Sequence, residues 1–475
     1  MSPVAVLVTI LAYFAAMALV SWLSGRGKGG QDVFYTGGRK THWTVVAFAM
    51  IGSCMSGVTF VSVPGMVGTS GFGYLQMCIG FFLGYLVIAF VLTPLYFKLN
   101  VVSIYQYLEK RFGMGAYRTG AWFFFVSKML GASVRLFLVC LTLQLLLFGP
   151  MGLPFWLNVL CNVGVCLAYT FRSGVKSVIW TDVLKTVCMI VAVTLCVVLI
   201  GRDLGGVKIQ EKVFFFDDVN HPQFFWKQLL GGLFTVIAMT GLDQDLMQRT
   251  LACKDYRDSQ KNLVVSSLLQ TVVIALFLCL GALLYQFAAV HGISETGDSI
   301  FPAVATSGLL PAIVGVLFVL GLVASAYGAG GSALTSLTTS FTVDILRKGG
   351  AVKVRKAVHL GMAVLMAVTI LVFNALNSTS AIDAVYKLAS YTYGPILGLF
   401  AFGILTKKQV KDRYVPIVAI LAPVICLVLQ LNSERWFGGY RFSYELLLLN
   451  AALTFLGLCL LIRTNCSFRG HKIKK

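Results

Sequence analysis

Apolar residues in this chain run unbroken rather than recurring at the spacing of a half-buried helix or strand. A membrane span needs about 20 consecutive apolar residues. Such runs fill 3–24, 43–67, 73–97, 118–148, 154–171, 177–201, 223–248, 262–290, 303–345, 357–377, 381–405, 414–431 and 443–463, so the pattern predicts about thirteen spanning helices. The run at 303–345 is too long for one span. Pro311 divides it, with 301–308 as a short leading segment and the membrane helix starting at the proline, where a missing N–H costs a helix nothing. Residues 3–24 exceed the apolar core of a cleaved signal and lack its small-residue cleavage site, so they read as a retained helix. The expected fold is an all-α membrane protein, a single domain over 1–475 with no soluble domain left over.

Composition agrees with that pattern. The 475 residues are 58% hydrophobic and 12% charged, against about 25% charged in a soluble protein. A net charge of +20 in a soluble chain would raise the question of nucleic acid. Here the basic residues alternate by loop. Segments 25–42, 98–118, 172–176, 249–261, 347–356, 407–413 and the tail from Arg463 carry 28 of the 38 Lys and Arg. The intervening loops carry six, within 201–227 and 434–441. The basic side of a membrane protein is cytoplasmic, which puts the N-terminus outside, the C-terminus inside and the chain in the inner (plasma) membrane as a multi-pass protein. Most of the 12 cysteines lie inside apolar runs, where thiols behave as small hydrophobes. No zinc spacing occurs among five histidines, so neither a metal cluster nor a structural disulfide is expected. Nucleic acid and an obligate protein partner are not expected either.

Setting aside the first helix and the last two (414–463) leaves ten. Two halves of five, 43–201 and 223–405, must run in opposite directions because five is odd. That is the inverted repeat of many secondary transporters, whose leading helices are broken near the bilayer midplane. Gly52-Ser53-Cys54-Met55-Ser56-Gly57 in the first half and Gly231-Gly232 followed by Thr240-Gly241 in the second predict such breaks. Close packing through small residues is the competing reading.

Ionisable groups inside a span cost about 2.5–3.5 kcal/mol on insertion scales and mark pathways or ion pairs. Lys128 and Arg135 share one helix face, Asp182 and Lys185 are three apart, and Asp243 and Asp245 flank Gln244. Asp344 and Lys407 are near enough to the surface to snorkel. The hydroxyls from Ser325 to Ser340 can bridge helices or supply hard oxygen ligands to a small cation. Tyr391 and Tyr393 either flank a Gly-Pro kink or close over a solute.

Several stretches resemble the sodium:solute symporter family. These are Asp32-Val33-Phe34-Tyr35-Thr36-Gly37-Gly38-Arg39, Val58-Thr59-Phe60-Val61-Ser62-Val63-Pro64-Gly65 and Ser103-Ile104-Tyr105-Gln106-Tyr107-Leu108-Glu109-Lys110-Arg111-Phe112. Ile179-Trp180-Thr181-Asp182-Val183 and Thr240-Gly241-Leu242-Asp243-Gln244 are similarly placed. The resemblance implies the five-plus-five fold and cation-coupled symport, with sodium as coupling ion, of a small polar organic solute such as a sugar or sialic acid. It implies no organic cofactor and no enzymatic activity. By resemblance, one sodium lies between the first and eighth repeat helices, held by carbonyls of Gly52, Met55 and Ser325. Two hydroxyls of that site correspond to Gly328 and Ala329, which carry none, and Gly331 stands where some relatives have Asp. Asp182 and Ser332 match a second sodium position. Solute contacts map to Ser56, Thr59, Gln76, Lys128, Asp243, Gln244 and Tyr391. The missing hydroxyls leave proton coupling through Asp182 or Asp243, uncoupled transport and a non-transporting sensor as alternatives.

Overall fold

The structure is a computed structural model, and it describes residues 3–24, 41–101, 103–170, 175–205, 216–219, 221, 223–348, 351–376, 381–440, 442 and 444–463. The Asp32–Arg39 motif and the basic tail beyond Arg463 lie outside the described residues. The described chain is all-helical apart from two isolated bridges, Thr41 with Cys253 and Val410 with Ile462. In chain order the helices are α1 (Pro3–Ser24), α2 (Trp43–Cys54), α3 (Gly57–Ser70), α4 (Tyr74–Leu99), α5 (Gln106–Arg111) and α6 (Met114–Phe148). There follow α7 (Phe155–Thr170), α8 (Val175–Asp203), α9 (Phe225–Gly241), α10 (Gln244–Thr250), α11 (Tyr256–His291) and α12 (Ile300–Thr306). Last come α13 (Ala312–Ile345), α14 (Val352–Leu376), α15 (Ala381–Leu405), α16 (Val415–Leu431) and α17 (Leu446–Leu460).

Among the described residues, 8 helices are long and apolar enough to span a membrane, and counting two bent pairs brings this to 10. Three shorter apolar stretches, Val4–Val20, Phe155–Ala168 and Leu446–Leu460, are included in the thirteen expected. Pro311 caps α13 and α12 precedes it, as its sequence predicts. Ile420 and Val424 on α16, and Val364 and Val368 on α14, face outward. In water such surfaces would associate, whereas lipid solvates them.

Both breaks are present. Helices α2 and α3 meet at 63°, and α9 and α10 at 75°. The second break falls at Leu242–Asp243, not at Gly231-Gly232. Those glycines serve packing instead: a Cβ on Gly232 would collide with the Met77 carbonyl of α4, and one on Gly80 with the Leu229 carbonyl of α9. Backbones that approach this closely admit only glycine.

Two other expectations change. Asp344 does not snorkel. It is buried and accepts hydrogen bonds from Ser103 Oγ (3.2 Å), Tyr117 OH (2.9 Å) and Ser340 Oγ (3.0 Å), which solvate the carboxylate internally. The hydroxyls of α13 mostly bond back to their own helix, Ser325 to the Leu322 carbonyl (2.9 Å) and Thr338 to the Leu334 carbonyl (2.7 Å). Near the loop before α12, the Tyr285 hydroxyl donates to the Gly65 carbonyl (2.6 Å) and accepts from Gly297 N–H (3.0 Å), tying α11 to α3.

Candidate functional site

Each break frees backbone groups that lipid cannot satisfy, and local residues take them up. At the first, Met55 donates its N–H to the Ile51 carbonyl (3.0 Å), and Thr59 Oγ1 accepts from Ser56 N–H (3.3 Å) in a capping box. At the second, Tyr96 donates to the Gly241 carbonyl (3.0 Å) and Tyr105 to the Leu242 carbonyl (2.8 Å). The Asp243 carboxylate caps α10, accepting from the N–H groups of Asp245 (2.9 Å) and Leu246 (3.3 Å).

Between the breaks lies a buried charge network. Lys128 of α6 pairs with Asp243 (3.0 Å) and Asp245 (3.1 Å), and Tyr393 of α15 donates to Asp243 (2.8 Å). Arg249 of α10 is 2% exposed. Its Nε donates to Asp182 of α8 (2.9 Å), its Nη1 to Asp245 (2.7 Å) and its Nη2 to Ser332 of α13 (2.5 Å). Ser53 of α2 donates to the same Asp182 oxygen (2.9 Å). One guanidinium therefore joins α8, α10 and α13, and through Ser53 the end of α2. Such forked, charge-assisted bonding fixes geometry as well as energy. Sequence position counts Arg249 among cytoplasmic loop charges, and the structure corrects this. Its spacing of four from Asp245 was the available signal.

A cavity opens onto this network. Ser56, Thr59, Lys128, Arg135, Asp243 and Tyr393 are among the residues lining it. The expected residues Ser56, Thr59, Lys128 and Asp243 are thus brought together, and Met55 joins them. Three others point elsewhere. Gln76 donates to the carbonyls of Gly73 (3.2 Å) and Gln223 (3.3 Å). Gln244 accepts from Ile104 N–H (2.8 Å). Tyr391 bonds to Gln430 and lines a second cavity, about 900 Å³, with Glu295, Asp298 and Lys387. Leu388 borders both cavities. Among the expected ion ligands, Gly52 packs against the Asp182 carbonyl and Thr186, Ser325 is buried within α13, and Asp182 and Ser332 are both engaged by Arg249.

Arg135 differs from the other cations of the cavity. Lys128 and Arg249 are neutralised by aspartates, while Arg135 has no carboxylate within salt-bridge distance among the described residues. The cavity wall carries Lys128, Arg135 and Arg249 against Asp243 and Asp245, an excess of one positive charge.

A family model described as the sodium:solute symporter family matches residues 34–412. The sodium/sialic acid symporter NanT of Aliivibrio fischeri is 27% identical, over 91% of this chain and 89% of its own length. The sodium/sialic acid symporter SiaT of Proteus mirabilis is 26% identical, over 87% and 88%. A solved structure of a Na+-coupled sialic acid symporter, substrate-bound and outward-open, superposes with a TM-score of 0.79 at 19% identity, covering 96% of this chain and 97% of that one. At that identity the likeness is one of fold.

Proposed function

The chain belongs to the sodium:solute symporter family, and from that premise we propose that it moves a small organic anion across the membrane by cation-coupled alternating access. The observation that carries the anion is Arg135, a guanidinium on the cavity wall with no carboxylate partner among the described residues. An unpaired cation inside a membrane protein is costly, and a solute carboxylate would pair with it in the bidentate fashion a guanidinium favours. Sialic acid, the solute in the names of two relatives, is such an anion. Ser56, Thr59 and Tyr393 would meet its hydroxyls. Lys128 and Asp243, paired to each other, would position the wall rather than supply the charge.

The coupling cation is sodium in the names of those relatives, and sodium is the ion proposed here. The two five-helix halves, 43–201 and 223–405, would be the inverted repeats, with the N-terminus outside and the C-terminus cytoplasmic. The second cavity, lined by Glu295 and Asp298, would then be the extracellular vestibule, and the layer at Leu388 the thin barrier between it and the site. Alternating access would rock the broken helices against α8 and α13.

Uptake into proteoliposomes under an inward sodium gradient tests the proposal. Acidic sugars and simple carboxylates are expected to accumulate, and neutral hexoses not. Arg135→Gln should lower solute affinity on the order of thirtyfold to a hundredfold, the worth of a hydrogen bond to a charged group in a dry site, with Arg135→Lys intermediate. Equal uptake of neutral sugars, or an unaffected Arg135→Gln, would sink the anion reading.

A further inference from the structure

The resemblance places a sodium ion between the α2–α3 break and α13, held in part by hydroxyls at positions 328 and 329; α8 packs against the same place. The residues present do not fit it. Gly328 and Ala329 offer no side-chain oxygen, so the two hydroxyl ligands that the resemblance implies are absent. The room is also taken. Lys185 of α8 is 0% exposed, and its stem runs across Gly328: a Cβ at position 328 would come within 2.7 Å of Lys185 Cδ and 3.4 Å of its Nζ. The same point is 3.4 Å from Asp182 Oδ1, the carboxylate oxygen that Arg249 and Ser53 leave unused.

The Lys185 Nζ has no hydrogen-bond partner among the described residues. A buried ammonium is tolerated only where fixed negative charge surrounds it. Two sources are at hand. Asp182 lies three residues earlier on α8, and the C-terminal end of α2, with its freed carbonyls, carries the negative pole of that half-helix. Cys54, the last residue of α2, is within electrostatic range of Lys185, and Gly52 packs directly on the Asp182 carbonyl. A free cation would seek these features, and a side-chain cation already stands among them.

We propose that the Lys185 ammonium is a tethered cation that fills the junction of the α2–α3 break, α8 and α13, and that no sodium ion binds at this junction. Gly328 is the other half of the device, since a Cβ there would force the lysine stem out of its present path. A serine at 328 therefore displaces the ammonium from its place beside Asp182. The charge that clamps the broken helix to α8 and α13 is then permanent, and a sodium ion that drives transport has to act at another position. The inference takes family membership from the preceding section but not the identity of the solute, so it is tested on purified full-length protein without solute.

Radioactive sodium binding and melting temperature, in sodium against choline, are compared for a mutant cycle. Gly328→Ser alone is expected to lower the melting temperature, and adding Lys185→Ala to restore it. The triple variant Lys185→Ala/Gly328→Ser/Ala329→Ser should gain a saturable sodium-binding component, and a sodium-dependent rise in melting temperature, beyond any that the wild type has. A triple variant that elutes as native protein yet gains no sodium binding overturns the proposal. Should that variant not fold, Lys185→Ala alone decides: a sodium-binding component absent from the wild type supports the tethered cation, and sodium binding identical to wild type overturns it. Failure of the anion reading would leave every one of these measurements unaffected.

Discussion

Arg249 joins three transmembrane elements through one side chain, and its removal is the most informative single substitution. Arg249→Ala would leave Asp245 with Lys128 alone and strip Asp182 of its guanidinium, and breaking a buried pair in this way costs up to about 3–5 kcal/mol. The melting temperature should fall accordingly, and the variant Arg249→Gln/Asp182→Asn should recover part of the loss, because it removes a charge of each sign. Equal melting of Arg249→Ala and wild type would mean that the network stabilises nothing. Sequence reasoning finds Asp182, Lys128 and Asp243, because an ionisable residue within an apolar run announces itself. It does not find Arg249 as their partner, because this residue begins a basic segment that reads as a loop and its contact with Asp182 spans 67 positions. Asp344 hides for a similar reason: two of its three hydroxyl donors, Ser103 and Tyr117, lie 241 and 227 positions away.

Among the elements, the first break is legible because serines and glycines at mid-membrane depth have few other uses. The second is legible only in part. Gly231-Gly232 satisfies the same pattern but is consumed by the contact of α4 with α9, and nothing in the local sequence separates a packing glycine from a hinge glycine. Gly232→Val therefore tests packing. It should prevent or strongly weaken folding, beyond the 1–3 kcal/mol usual for overpacking, since the obstacle is the Met77 backbone. Gly361→Val on α14, with open space around it, should leave yield and melting unchanged. The second hinge is tested at Asp243. Asp243→Asn keeps the α10 cap but drops the charge facing Lys128, and Asp243→Ala loses both, with about 1 kcal/mol more lost for the cap. The alanine variant should melt lower than the asparagine variant.

For the whole molecule, the alternating basic loops carry a directional prediction. With a membrane-impermeant thiol reagent on intact cells, Glu295→Cys should label from outside, and Asp258→Cys only after permeabilisation. The reverse pattern would invert the proposed orientation. The fold class was legible from run length and charge deficit alone, since a bilayer accepts so few architectures. The cavity was not, because the positions of Arg135 and Arg249 on its wall depend on how helices pack. One further consequence concerns time spent in each state. The Tyr285 hydroxyl bridges Gly65 and Gly297, and a typical hydrogen bond contributes about 1 kcal/mol net. Tyr285→Phe removes both bonds, about 2 kcal/mol, which multiplies the equilibrium share of molecules with α11 parted from α3 at this point roughly thirtyfold. Hydrogen exchange at the Gly297 amide should quicken by the same factor, so a single phenol sets how long this joint stays closed.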